Sequence, residues 1–307
     1  MKRVLVTGGT GFVGANLVRR LLREGHEVQA LVRPQHAVWR LADVQADIRF
    51  VTGDIADGES VRGAVLQARP DWIFHLAAHG QYSWETDVDA MLRTNVLGTA
   101  ALVRAAVDAG CEAFVNTGSS SEYGLKGHPP AEDEALDPNS CYAVTKGAAT
   151  AFCRCTARER DVHIPTLRLY SVYGPYEHPD RLIPTLVKRG LNGELPPLVD
   201  PNVARDFVYV DDVVDAYLLA ATLPGQEHGA IYNVGSGVQT TMREMVELTR
   251  RLLDIRVEPL WGSMANRAWD TTCWVADNRK IVRELGWQPR TDLETGLRRT
   301  IERARPG

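Results

Sequence analysis

Apolar positions in the first half of the chain switch between two periods. Short runs rich in β-branched residues, Arg3 to Thr7, Glu27 to Val32, Ile48 to Thr52, Trp72 to His75, Ala113 to Thr117 and Ile164 to Arg168, predict strands. Between them the spacing is helical. Leu17, Val18, Leu21 and Leu22 share one face of a stretch from Phe12 to Glu24 that Gly25 stops. Longer helices are expected over Asp87 to Ala109 and Cys141 to Arg160. Strands joined in this way by crossover helices imply an α/β fold with a doubly wound parallel sheet, whose ligand crevice lies beyond the carboxyl ends of its strands.

After Arg168 the pattern is broken up by Pro175, Pro179, Pro184, Pro196, Pro197 and Pro201, as expected of a smaller, less regular unit. Asp206 to Val210 followed by Asp211 to Leu223 again reads as strand then helix, returning to the first unit. With 307 residues the chain fits two modest domains. The expected division is a Rossmann-type dinucleotide domain over 1–170, rejoined by 205–223, and a smaller C-terminal substrate domain over 171–307 interleaved with it.

Composition narrows the partners. Lysine and arginine number 35 against 39 acidic residues, a net charge of −4, so no basic field exists to hold a nucleic acid or an anionic membrane. An anionic ligand must be met by a few local cations. Apolar runs such as Ala216 to Leu223 fall short of the roughly 18 to 20 residues that span a bilayer. The five cysteines lack the paired spacing of a zinc site or a CxxC motif, which suits reduced thiols in the cytoplasm and no metal. The run Val4-Leu5-Val6 behind Met1 is too short for a secretion signal.

Candidate chemistry begins at Gly8-Gly9-Thr10-Gly11-Phe12-Val13-Gly14, between the first strand and the first helix. Gly9, Gly11 and Gly14 fit GxGxxG, where absent Cβ atoms let backbone approach a pyrophosphate and the helix N-terminus attracts its charge. A tight turn is the plainer reading of the same glycines. An NAD site usually ends its second strand in a carboxylate for the ribose hydroxyls. Here Val32 stands at that place and Arg33 follows, which favours NADP(H) with NAD possible, unless Arg33 is only a solvated charge. Asp54 either accepts from the adenine amino group or caps the next turn.

Tyr142 and Lys146 lie four residues apart on one helical face, so an ammonium there is expected to favour the phenolate and make Tyr142 a usable acid and base. Ser119-Ser120-Ser121 follow the fifth strand at the same end of the sheet. A hydroxyl there can hold a substrate oxygen beside the phenol.

With these residues the chain resembles the extended short-chain dehydrogenase/reductases that act on nucleoside diphosphate sugars. The resemblance runs nearly end to end, through Thr7 to Gly14, His75-Leu76-Ala77-Ala78, Thr94 to Thr99, Tyr142 with Lys146, Arg168 to Pro175, and Arg205 to Asp212. It implies Ser119, Tyr142 and Lys146 as the catalytic residues. For the cofactor it implies Gly8, Gly11, Phe12, Val13 and Gly14, with Arg33, Asp54, Ile55, Leu76, Ala77, Ala78, Tyr142 and Lys146. For the substrate it implies Arg205 and Arg267 on the pyrophosphate, and Ser120, Ser121 and Ser171 near the sugar, Ser171 replacing an asparagine common there. His79, Gln81, Tyr82 and Trp84 either line the sugar pocket or pack a loop. Asn95 is expected to order the central helix and His75 to be a satisfied strand-end residue.

Three reactions of that family share a hydride relay at a sugar carbon. A 4,6-dehydratase places an acid and a base directly after the catalytic hydroxyl; here Ser120 and Ser121 stand there, and Glu122 follows in a segment expected to be strand-like and to aim it away. The missing carboxylate at Val32 leans toward an NADPH-dependent reductase of a nucleoside diphosphate 4-keto-6-deoxyhexose. A 4-epimerase that keeps its NAD bound is the alternative, and a noncatalytic NADP(H)-binding protein is a third reading that the intact triad disfavours. The resemblance also implies a homodimer paired through the two long helices.

Overall fold

The computed structural model describes residues 1–267 and 270–305. Its larger sheet holds seven parallel strands. The first six are β1 (Arg3–Thr7), β2 (Glu27–Val32), β3 (Arg49–Thr52), β4 (Trp72–His75), β5 (Ala113–Ser119) and β6 (Thr166–Leu169). A smaller three-stranded sheet contains β7 (Ser171–Tyr173) and β8 (Ala204–Tyr209), which run parallel, and after β9 (Ile231–Val234) also β10 (Gln239–Thr241), antiparallel to β8. The large sheet is ordered β3-β2-β1-β4-β5-β6-β9. Strand order reverses between β1 and β4, which opens a crevice beside the end of β1.

Alternation along β1 divides its side chains between two buried layers. Val4 and Val6 join Leu17 and Val18 of helix α1 (Phe12–Arg23) on one face. Leu5 joins Ile73 and Phe114 on the other, with Val61 and Val65 of α2 (Gly58–Ala68). Both faces of a parallel sheet are thus covered, and its central strands read as continuous apolar runs for that reason.

The helix expected over Asp87 to Ala109 is continuous but not uniformly α. Between α3 (Val88–Met91) and α4 (Thr99–Asp108), residues Leu92–Gly98 form wider π turns. That widening carries Asn95, whose side-chain amide bonds both the N–H and the C=O of His79 at 2.8 Å and donates to Thr145 at 3.0 Å. Gly98 lies where a Cβ would come within 2.3 Å of the Ile55 carbonyl oxygen, so only glycine lets this helix meet the loop after β3.

Helix α5 (Cys141–Arg160) follows β5 and is capped by Ser140. A third apolar cluster, separate from the sheet's two layers, joins Leu186 of α6 (Leu182–Gly190), Tyr209 before α7 (Val210–Thr222), Val246 of α8 (Met242–Leu253) and Leu297. Asp206 ties this cluster's sheet to the end of β9. Fully buried, it accepts hydrogen bonds from the backbone of Ser236, Gly237 and Ala276 and from the Ser236 hydroxyl. β9 itself was not expected from the sequence and makes the large sheet seven strands wide. Among the described residues no helix is long and apolar enough to cross a membrane.

Candidate active site

The end of β1 runs directly into the glycine loop. Gly8 has φ +69°, and a Cβ there would sit 2.7 Å from the Ala77 nitrogen. A Cβ on Gly14 would come within 2.2 Å of the Gly8 carbonyl oxygen. Helix α1 starts at Phe12 without a side-chain cap and without an acidic residue in its first turn. Backbone stripped of side chains, at an uncapped helix N-terminus, fits the pyrophosphate of a dinucleotide. Gly14→Val is therefore expected to weaken dinucleotide binding by at least about tenfold, measured by calorimetry on a variant shown to be folded by circular dichroism.

A cavity of 260 Å³ extends from this loop along the strand ends, lined by Gly8, Gly11, Phe12, Val13, Gly14 and Leu76 and, on its far side, Ser119 and Tyr142. Gln81 and Tyr82 complete the wall. A second cavity, of 310 Å³, opens into the small sheet's side and carries Ser171, Arg189, Arg205 and Arg267 among apolar walls that include Ile183, Val199, Phe207 and Met242. Val172, Glu177 and Arg181 line both. The two cavities are compartments of one cleft, the first walled by glycines, the second by arginines and hydrophobic side chains.

Not every expected residue reaches this cleft. Lys146 is buried a turn below Tyr142. Arg33 is exposed, with its carbonyl oxygen 2.8 Å from His36 Nδ1, and lies off the cavity walls. Asp54 closes a turn onto the Ala56 N–H at 2.9 Å, and Ile55 packs against Gly98. The Ala77 N–H bonds Thr7 Oγ1 at 3.2 Å, and neither Ala77 nor Ala78 lines the cavities. His79 is fixed to Asn95 and faces Glu85 at 3.6 Å, while its neighbours Gln81 and Tyr82 are on the wall. His75 is buried between Thr7 Oγ1 and Thr99 Oγ1, and burial pushes its imidazole down to about 3, so it stays neutral.

The segment after Ser119 is a tight turn, Ser120–Tyr123, rather than strand. Ser119 caps this turn while Glu122 reaches back to the Ser119 N–H at 2.8 Å, the reciprocal arrangement of a capping box. The Ser119 and Ser121 hydroxyls are 2.7 Å apart, and Ser120 is buried. Glu122 points away from the cleft, because its carboxylate also accepts from Thr150 and, at 2.8 Å, from the Arg168 guanidinium.

The expected acid phenol is corrected by the structure. Burial pushes Tyr142 up to about 12, opposed by a hydrogen bond from Ser119 and, more weakly, by the charge of Arg181. Lys146 is itself lowered by burial, with Glu122 pulling it back up. Helical spacing puts phenol and ammonium a turn apart, but it says nothing of the burial that dominates both groups.

Among the cleft residues that the sequence did not single out are Arg181 and Glu177, with Asp180 and Arg189 beside them. Glu177 follows Tyr176, whose φ of +71° is held with its ring between the guanidinium groups of Arg19 and Arg303, at 4.0 and 4.2 Å. Its side chain is 7% exposed, and burial pushes the carboxyl up to about 8, against the pull of Arg181 and the Gly174 N–H. A carboxyl raised above its unfolded value of 4.5 loses its folded-state contribution as pH climbs from there toward 8. Glu177→Gln is thus expected to unfold at the same or lower urea concentration than the parent at pH 5 and at a higher one at pH 8.5, a relative gain of a few kcal/mol at about 1.4 kcal/mol per pH unit.

Glycine cradle, hydroxyl pair and arginine-lined annex together define a dinucleotide-dependent enzyme acting on an anionic sugar conjugate. Residues 4–235 match the NAD dependent epimerase/dehydratase family, and the chain belongs to it. It is 33% identical over 316 residues to a UDP-glucose 4-epimerase of Mycolicibacterium smegmatis, covering 98% of this chain and 97% of the relative. It is 31% identical over 312 residues to a dTDP-glucose 4,6-dehydratase of Streptomyces griseus, covering 97% and 92%. The solved structure of MoeE5 in complex with UDP-glucose and NAD superposes with a TM-score of 0.85 at 34% identity, covering 97% of each chain.

Proposed function

We propose that this chain is a nucleoside diphosphate hexose 4-epimerase that retains its NAD between turnovers. The observation that carries this reading is the isolation of the Ser119 and Tyr142 hydroxyls at the cleft. Ser120 is buried, Ser121 is bonded to Ser119, and Glu122 is locked onto Arg168, so none of the three residues after Ser119 is a free acid or base ready to eliminate water. Proton transfer at one sugar oxygen remains, which is what inversion of a carbinol centre needs. Relatives of both kinds support the substrate class, and the bound NAD of MoeE5 supports the cofactor.

The Gly8 to Gly14 loop and Leu76 would hold NAD, which would supply the acceptor and then the donor of hydride at C4. Tyr142 removes the proton of the C4 hydroxyl and returns one to the same oxygen, with Ser119 bonded to phenol and substrate oxygen in turn. Lys146, buried a turn below Tyr142, would reach the cofactor ribose once the cofactor is bound. Arg205, braced by Asp270 at 2.6 Å, and Arg267 hold the diphosphate, and Ser171 faces the sugar. The glycine cradle and Leu76 hold the cofactor, with Ala77, Ala78, Asp54 and Ile55 at its rim. On this reading the unit of the large sheet, which takes β9 but not the expected β8, and the unit of the small sheet, which keeps β8, act as cofactor and substrate domains.

Val32 and Arg33 favour a second reading, reduction of a 4-keto-hexose by NADPH, because no carboxylate repels a 2′-phosphate at the end of β2. Denaturing the purified protein and identifying the released nucleotide separates the two. Stoichiometric NAD with interconversion of UDP-glucose and UDP-galactose is expected; an empty site with NADPH consumed by a 4-keto-6-deoxyhexose nucleotide overturns the epimerase. We propose a homodimer paired through the two long helices, where Leu92, Leu97 and Val144 are 44%, 63% and 50% exposed. Leu97→Arg is expected to give a monomer by sedimentation, and an unchanged dimer rejects that pairing.

A further inference from the structure

Glu177 is one of three residues that line both compartments, standing between the Tyr142 hydroxyl on one side and Arg205 with Arg267 on the other. Its Oε1 lies 3.6 Å from Arg181 Nε, beyond hydrogen-bond length, and its Oε2 is buried with no hydrogen-bond partner. A carboxyl 7% exposed with an orphaned oxygen is a cost that a folded protein rarely carries without use. The backbone is bent to put it there: Gly174 has φ +140° and Tyr176 φ +71°, the latter strained for a side chain that is not glycine.

From this placement we infer that Glu177 is a sugar-recognition residue, hydrogen-bonding a ring hydroxyl of a neutral hexose that spans the junction of the two compartments. The inference rests on the nucleotide-sugar reading above and extends it. The torsion that turns a carboxyl plane is soft, so a small rotation presents Oε2 to a ligand that now shields it from water. A protonated carboxyl donates and accepts at once, as a hydroxyl does, and matches a sugar better than a fixed charge would. The sugar is the part of the ligand that falls here, because the diphosphate belongs with the arginines on one side and the reacting carbon with Tyr142 on the other.

Calorimetry on the whole protein tests this with UDP-glucose, UDP and NAD as separate probes, and with dTDP-glucose and dTDP in case thymine is the base preferred. Glu177→Leu is expected to weaken UDP-glucose by about tenfold while leaving UDP and NAD unchanged, and Glu177→Gln, which keeps a donor and an acceptor, to stay within about threefold of the parent. Unchanged UDP binding shows that the leucine variant is folded. Equal affinity of the parent and Glu177→Leu for UDP-glucose overturns the inference alone, as does a loss confined to NAD, which would assign the carboxyl to the cofactor. A loss shared equally by UDP and UDP-glucose also overturns it. Failure of the parent to bind either nucleotide sugar overturns the reading beneath and the inference with it.

Discussion

Tyr142→Phe lowers kcat by about 10² to 10⁴, the range for removing a positioned general acid and base, while UDP-glucose and NAD still bind. The phenol stands on the cleft wall with Ser119, whose hydroxyl opposes the effect of burial on it. Steady-state rates with calorimetric affinities on the same preparation check it, and turnover equal to the parent's rejects Tyr142 as the proton-transfer group. A pH profile adds a sign. With burial holding the phenol up to about 12, the phenolate fraction grows as pH rises, so kcat for the direction that removes a proton climbs with pH below that value. Ser119→Ala removes the hydrogen bond that opposes burial and moves the climb to higher pH.

Arg168→Met destabilises the fold by about 3 to 5 kcal/mol, the usual cost of leaving one member of a buried ion pair alone. Arg168 and Glu122 have side chains 3% and 0% exposed and meet at 2.8 Å, the guanidinium also covering the Tyr123 ring at 4.5 Å. Urea unfolding followed by fluorescence measures the loss. The double variant Arg168→Met with Glu122→Gln is expected to recover part of it, because no uncompensated charge remains inside. Additive losses in the double variant would show that the two groups are not coupled. Since Glu122 also holds the Ser119 N–H, Glu122→Gln alone is expected to lower kcat as well as stability.

Parts of this molecule that depend on period and local chemistry were readable from the chain. β1, β2 and β4 match the expected bounds, α1 starts at Phe12, and Ser119 and Tyr142 come to one cleft because each follows from a strand end or a helix start. What failed depended on surroundings. β9 has only four residues with Asn233 among them, and its amide is satisfied by Pro130 and Asp277 carbonyls that no local pattern announces. Glu177 reads as an ordinary loop glutamate until Gly174 and Tyr176 bend it inward. Gly174-Pro175 was the available signal, a turn marker two residues ahead of it. Arg33 stands apart, a charge whose position in sequence suggests a cofactor contact and which the described cavity walls do not include.

The last strand to enter the large sheet has a consequence for how the protein is made. β9 pairs with β6 through Thr166↔Ile231 to Leu169↔Val234, across sixty-odd intervening residues that build β7, β8 and the helices between. During synthesis the glycine loop and its strands emerge early, yet one flank of the sheet stays unzipped until residue 234 has left the ribosome. An open flank of this kind recruits strangers. Nascent chains stalled before that point are the ones a chaperone would have to shelter.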